Sequence, residues 1–284
     1  MKHEPVSSET YSEEYFLESC GGVEFFRLYG PKVPKPTMTH ALKRAALRPG
    51  LRVLDIGCGR GEILYQARAA GALPVGTDYA EAALRVAAKT SGCPVALCDA
   101  KALPFRSGLF DRIFFIGIID HLHDWELERC FADMARVLRP DGFVIIHTCT
   151  NRHYFKTLTY GLRRRLARLG RAVGLPARDP RPPRTGEDEV MHINEHSAGD
   201  LARFFGGIGW RADVEPVPNY KFLLTRLYGR QLPEGFPLRP MAAWRSALYM
   251  GLLFRFPLDR ILAREFLVVA RPPARETPTG GGRP

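Results

Sequence analysis

The chain has 284 residues, 45% hydrophobic and 25% charged, which excludes a disordered polar chain and allows one large domain or two modest ones. Its 41 Lys and Arg outweigh 30 Asp and Glu to give +11, and the excess is lopsided: residues 1–50 carry +1, residues 51–150 carry −1 and residues 151–284 carry +11. A basic partner surface therefore belongs to the C-terminal half, which argues against a simple nucleic-acid coat.

Residues 1–36 read as an N-terminal cap segment. Met1 to Pro5 is polar and has no apolar signal core. Tyr15, Phe16, Phe25 and Phe26 are too many aromatics for a solvated tail and are expected to be packed. After Pro31, Pro34 and Pro36, residues 37–48 read as a helix stopped by Pro49-Gly50.

From there to residue 150 the pattern alternates. Strands are predicted at Leu51–Ile56, Leu73–Asp78, Val95–Cys98, Phe110–Ile116 and Phe143–Thr148. Helices are predicted at Glu62–Ala70, Ala80–Lys89 and Trp125–Leu138, the last ended by Pro140-Asp141-Gly142. Strands separated by such helices imply βαβ units, and near-continuous apolar strands imply burial on both faces. The expected class is α/β: a Rossmann-like, doubly wound, mostly parallel sheet with helical N-terminal and C-terminal lid insertions.

Residues 151–275 are expected to complete the sheet and supply a substrate or lid region. Tyr154–Val173 reads as a basic helix, Pro176–Pro183 as a loop and Ala198–Phe205 as a helix. Trp210–Val217 reads as a strand, Met241–Phe254 as a long helix and Glu265–Ala270 as a final strand. Residues 276–284 read as a frayed tail. No run approaches the roughly 20 apolar residues that span a bilayer. The best stretch, Ala247–Phe254 between Arg245 and Arg255, reads as a buried or membrane-surface segment. None of the six cysteines forms a C-x-x-C pair, so no zinc ribbon is indicated and free thiols in a reducing cytoplasm are expected.

The most informative segment is Val53-Leu54-Asp55-Ile56-Gly57-Cys58-Gly59-Arg60-Gly61-Glu62, a strand entering a glycine-rich turn before a helix. A dinucleotide fingerprint requires glycine where Glu62 stands. Asp55 at the strand tip would repel a pyrophosphate and attract a ligand carrying ammonium and sulfonium groups, as S-adenosylmethionine does. One such pair is worth about 4 kcal/mol at ~4 Å and an effective dielectric near 20, before desolvation. Asp78 ends the second strand, where an acid binds ribose hydroxyls, and Asp99 follows the third, where an acid can accept from an adenine amine. Taken alone, Asp78 also reads as a helix cap and Asp99 as a turn residue.

Together these motifs, at 53–62, 75–78 and 98–100, resemble the class I S-adenosylmethionine-dependent methyltransferases, in the small-molecule, type 11-like branch. Phe110-Asp111, Gly117 to His121 and Leu138 to Phe143 fit the same pattern, and the resemblance covers about residues 37–150. It implies Asp55, Gly57, Cys58, Gly59 and Gly61 at the methionine part of the cofactor. It implies Asp78 on the ribose, with Tyr79 also at the cofactor, Asp99 with the Ala100 backbone on the adenine, and backbone near Phe115 and Ile116 closing over the methionine end.

Methyl transfer to oxygen also calls for a base. His121 is the first candidate, with Asp120 as orienter or alternative; the competing role is a helix cap at Asp120 and a packed His121. His147, near the end of the fifth strand, faces either the site or the core. His192-Ile193-Asn194-Glu195-His196 has the polarity to bind substrate hydroxyls, but its extended character does not suit a metal, and none is expected. Arg163, Arg164, Arg165, Arg168 and Arg171 share a helix with Leu162, Leu166 and Leu169. Such a helix contacts an anionic membrane or substrate, or it is a solvated lid whose leucines contact the domain.

The expected activity is O-methylation of a small metabolite, glycan or lipid-linked acceptor. An RNA methyltransferase is the alternative. It is disfavoured because no RNA-binding module is recognisable and residues 116–119 read Ile-Gly-Ile-Ile rather than a base-amine motif. A non-catalytic cofactor-binding protein and a dehydrogenase are the remaining readings; Glu62 and Asp55 weigh against the dehydrogenase.

Overall fold

Val53, Leu54 and Ile56 of strand β1 (Arg52–Ile56) are buried on both sides of a sheet, as their unbroken apolar run requires. The computed structural model describes residues 4–149, 151–180, 182, 192–218, 222–224, 227 and 242–274. The other strands are β2 (Leu73–Asp78), β3 (Val95–Leu97), β4 (Phe110–Ile116), β5 (Leu138–Cys149), β6 (Arg211–Val217) and β7 (Glu265–Arg271). They form one seven-stranded sheet in the order β3-β2-β1-β4-β5-β7-β6. The first five are mutually parallel, and β7 runs antiparallel to both β5 and β6. The order reverses between β1 and β4, the crevice where open sheets take ligands beyond their carboxyl ends.

Helices cover both faces. They are α1 (Val23–Tyr29), α2 (Pro36–Ala45), α3 (Glu62–Ala69), α4 (Glu81–Ser91), α5 (Asp124–Val137), α6 (Phe155–Leu158), α7 (Tyr160–Ala172), α8 (Ala198–Gly207), α9 (Ala243–Leu248) and α10 (Asp259–Leu262). Phe114, Ile145 and Leu267 pack on Ala41 and Ala45 of α2 and Ile63 and Ala67 of α3. Their strand neighbours Phe115, Ile146 and Val268 face the other way, onto Phe131 and Met134 of α5 and Leu201 and Phe205 of α8. The two-residue alternation thus builds two cores against one sheet.

Several sequence expectations are corrected. β5 begins at Leu138 rather than Phe143: Leu138 pairs with Phe110, the register shifts, and Phe143 pairs with Arg112. Pro140-Asp141-Gly142 is therefore an irregularity inside a ladder, not a break between helix and strand. The expected helix at 154–173 is two, interrupted at Thr159, whose hydroxyl donates back to the Phe155 carbonyl. Its leucines are not buried: Leu162, Leu166 and Leu169 are exposed, and Ala167 is the buried residue of α7. The expected helix over 241–254 is α9 followed by a π-helical turn, Tyr249–Leu253, and Leu248, Leu252 and Leu253 are exposed rather than core. Met241, Pro183 and the 276–284 tail lie outside the described residues. All six cysteines are free thiols.

Candidate active site

The loops after β1, β2, β3 and β4 surround a cavity of ≈ 450 Å³. Gly57 opens the turn after β1 at φ +65°, and a Cβ there would stand 2.1 Å from Cδ1 of Ile118, in the loop after β4. Glycine is thus required where the two loops meet at the switch point. Gly61 has a different task from the one expected. It lies outside the cavity lining, and at φ +79° it lets α3 approach α4, since a Cβ would come within 2.9 Å of the Ala87 backbone. A second concavity, ≈ 460 Å³, lies beside α2 and α3 between Lys32, Thr39 and Gln66 and carries none of the acids.

Asp55, Gly57, Cys58, Gly59, Asp78, Tyr79, Asp99, Ala100 and Ile116 all line the first cavity. Phe115 does not: it is buried in the core against Phe131. Asp55 is buried, and desolvation together with the carboxylates of Asp78 and Glu62 raises its pKa well above the usual range. Asp78 accepts from the Gly59 amide at 3.1 Å and the Ala80 amide at 3.0 Å. It therefore ties the glycine turn to the start of the next crossover, which is also what a cap would do. Burial still raises its pKa despite those donors. Asp99 is more exposed, and Lys101 holds it through the backbone amide at 2.9 Å and the ammonium at 3.0 Å. The same ammonium reaches the buried Glu126 at 2.8 Å.

The N-terminal cap covers this cavity. Ser7, Tyr11, Tyr15 and Phe16 line it, and the rings of Tyr11, Tyr15 and Phe16 lie edge-on or stacked on one another. Arg60, inside the glycine turn, is the anchor. Its guanidinium donates to the carbonyls of Phe16 (3.0 Å), Cys20 (3.2 Å) and Gly21 (2.9 Å) and to Glu62 at 3.0 Å. The same turn that shapes the floor thus fastens the roof.

Of the three catalytic candidates, the cavity receives one. His121 lines it, with Nδ1 3.0 Å from the Tyr11 hydroxyl. Asp120 does not cap the following helix and does not line the cavity. It is fully buried and accepts from the Thr148 hydroxyl and from the Cys149 amide at 2.8 Å, stapling the loop after β4 to β5. Burial raises its pKa to about 7 against those two donors. His147 is also buried away from the cavity, 2.9 Å from Glu265 on β7; burial lowers its pKa and Glu265 opposes the shift. The 192–196 segment does converge on the site's edge: the His192 ring lies edge-on to His121 at 4.8 Å, and the Asn194 side chain donates to the Leu122 carbonyl and to Asp124. Among the described residues no His, Cys, Asp and Glu group could hold a metal ion.

The aromatic run from Tyr11 to Phe26 reads in the sequence as a pocket cover, but the contact of Tyr11 with His121, which spans 110 residues, had no local signal. Sequence reasoning missed Glu62 and Lys101 as cavity residues, although Glu62 was visible as the departure from a dinucleotide motif and Lys101 as a lysine two residues after Asp99. Glu62 also decides whether the site suits the implied cofactor. It is buried on the cavity wall, and its Oε1 has no hydrogen-bond partner. An unsatisfied carboxylate oxygen beside Asp55 and Asp78 is complementary to a cationic ligand and hostile to a phosphate. The residues therefore fit S-adenosylmethionine.

Residues 53–142 match the profile of a family described as a methyltransferase domain. Over 113 residues the chain is 42% identical to the ubiquinone/menaquinone biosynthesis C-methyltransferase UbiE of Bordetella parapertussis, covering 36% of this chain and 42% of that protein. Over 114 residues it is 38% identical to the probable tRNA methyltransferase 9B of Bos taurus, covering 38% of this chain and 24% of that protein. The chain thus spans less than half the length of either curated relative. Among solved structures, it superposes on phosphoethanolamine N-methyltransferase 2 of Haemonchus contortus with a TM-score of 0.55 at 20% identity, covering 93% of this chain and 60% of that one. It also superposes on the putative methyltransferase seen with the Trm112 activator of Haloferax volcanii, with a TM-score of 0.55 at 14% identity over 94% of this chain and 99% of that one. At such identities the likeness is one of fold.

Proposed function

Because residues 53–142 belong to the class I S-adenosylmethionine-dependent methyltransferase family, we propose that the protein methylates a hydroxyl oxygen of a small metabolite, glycan or lipid-linked acceptor. The observation that carries this is the convergence of Asp55, Glu62 and Asp78 on the cavity that His121 also lines. When bound, S-adenosylmethionine supplies an electrophilic methyl group. Asp55 and Glu62 would hold its ammonium, Asp78 the ribose hydroxyls and Asp99 the adenine amine, while Ile116 and Ile118 would offer apolar wall near the methionine end.

His121 takes the acceptor's hydroxyl proton. That role requires the tautomer with the proton on Nδ1, donated to the Tyr11 oxygen, so that the basic lone pair lies on Nε2. Burial raises the Tyr11 pKa to about 12, so the phenol stays neutral and serves as orienter rather than base. The aromatic cap excludes water, which protects the methyl donor from hydrolysis and strengthens the acids' hold. The exposed arginines of α7 give the acceptor side of the protein a contact for an anionic membrane surface.

Incubating the protein with methyl-labelled cofactor and a host extract tests the reading. Label in an alkali-stable ether of a small-molecule, glycan or lipid fraction is the expected result. Label in RNA would select the second reading, favoured by the likeness to the probable tRNA methyltransferase 9B.

A further inference from the structure

β5 ends at Cys149 and β7 begins at Glu265, and these two residues are register partners at the sheet's carboxyl edge. The chain between them leaves and re-enters the sheet on the side where the cavity lies. Its two roots are stapled together: the Asn151 side chain donates to the carbonyls of Arg260 at 2.6 Å and Ala263 at 2.8 Å. From one root rise α6 and α7, from the other α9 and the turns that follow it.

α7 is amphipathic, and both segments turn large apolar side chains to water, although Phe254 of the second packs against the core. On α7, Leu162 is 60% exposed and Leu169 64%, beside five arginines, with no acid between Tyr154 and Arg178. On the second segment Trp244 is 65% exposed, Leu252 65% and Phe256 72%, beside Arg245, Arg255 and Arg260 and a single acid, Asp259. Burying such side chains is favourable, so this much bare apolar surface favours an occupant. An RNA would take the arginines and leave the leucines, phenylalanine and tryptophan in water. A lipid surface takes both: headgroup phosphates for the guanidiniums, and the acyl boundary for the apolar chains. Among the described residues no helix is long and apolar enough to cross a membrane.

We infer that α7 and the segment from Trp244 to Ile261 form a two-part docking surface for an anionic membrane, rooted at the sheet's carboxyl edge, on the side where the cavity lies. Its consequence for the substrate rests on the proposed methyl transfer: the acceptor is an amphiphile whose reactive hydroxyl rises from the bilayer. The docking itself does not depend on that reading.

Co-sedimentation of the full chain with phosphatidylcholine vesicles, with and without phosphatidylglycerol, tests the surface. Binding to the anionic vesicles is expected. The pairs Leu162→Asp with Leu166→Asp, and Leu252→Asp with Phe256→Asp, should each weaken it at least about tenfold. Replacing Arg163, Arg164 and Arg168 by Gln should cost about fivefold per arginine. All variants should keep the wild-type melting temperature and S-adenosylhomocysteine affinity. The proposal is overturned by absent vesicle binding, by apolar variants that bind as wild type does, or by a structured RNA bound more tightly than the vesicles. Vesicle binding without S-adenosylhomocysteine binding would sink the methyltransferase reading and leave the docking standing; the reverse would sink the docking alone.

Discussion

The Tyr11 hydroxyl lies 3.0 Å from Nδ1 of His121, joining the N-terminal cap to the loop after β4 across the mouth of the cavity. Removing that oxygen takes from His121 the contact to Nδ1 that orients its ring for the base role. Tyr11→Phe is expected to lower kcat by about 10–100-fold, within the range general-base assistance supplies, while the dissociation constant for S-adenosylhomocysteine changes little. Steady-state kinetics alongside calorimetry check this. An unchanged kcat would remove Tyr11 as a positioning residue.

Arg60 is buried, spends its donors on three carbonyls of the cap, and neutralises Glu62. Arg60→Ala would leave those carbonyls and a buried carboxylate without their partner, a loss of about 3–5 kcal/mol. Urea denaturation should show the drop, and limited proteolysis should cut first between Tyr11 and Gly22. A cap that resists protease in the variant would mean that the aromatic packing alone holds it.

Asp120 has a folded-state pKa raised to about 7 from 3.8, chiefly by burial. A raised carboxyl pKa gives stabilisation that is complete below the unfolded value and is lost as pH climbs through the folded one. Asp55 and Asp78 shift the same way. Asp120 should therefore contribute less stability as pH climbs from about 4 to 7, while the depressed carboxyls of Asp133, Asp200 and Glu265 act the other way, so the linkage is read in the difference between wild type and Asp120→Asn. Urea midpoints of both proteins across this range test the sign. A wild-type advantage over the variant that grows with pH there would contradict it.

The raised pKa of Asp55 also sets a binding trend. A cationic ligand prefers the ionised acid, so affinity for S-adenosylmethionine should rise with pH as Asp55 loses its proton. Asp55→Asn should bind weakly and with a shallower pH dependence. Equal slopes in both proteins would move the proton linkage to another group.

What the sequence made legible was whatever depends on local order. The strand-turn-helix at 53–62 and the acids after β2 and β3 could be read because each sits at a fixed offset from a strand end. Gly61 was misread because its constraint comes from Ala87 of another helix. Asp120 was drawn toward catalysis by its position after a strand and His147 by its place near the end of one, yet both are consumed by partners far along the chain, Thr148 and Glu265. The outward leucines of α7 defeated the usual inference that an apolar stripe finds a core. Periodicity shows that a helix has two faces and says nothing of what covers them.

Calorimetry of cofactor binding tests the central claim most directly. S-adenosylmethionine and S-adenosylhomocysteine should bind saturably and NAD not at all. Asp78→Ala should cost about 1.5–3 kcal/mol, the worth of a hydrogen bond to a charged group. Heat from NAD with none from S-adenosylhomocysteine, or an Asp78→Ala variant of undiminished affinity, would contradict the account.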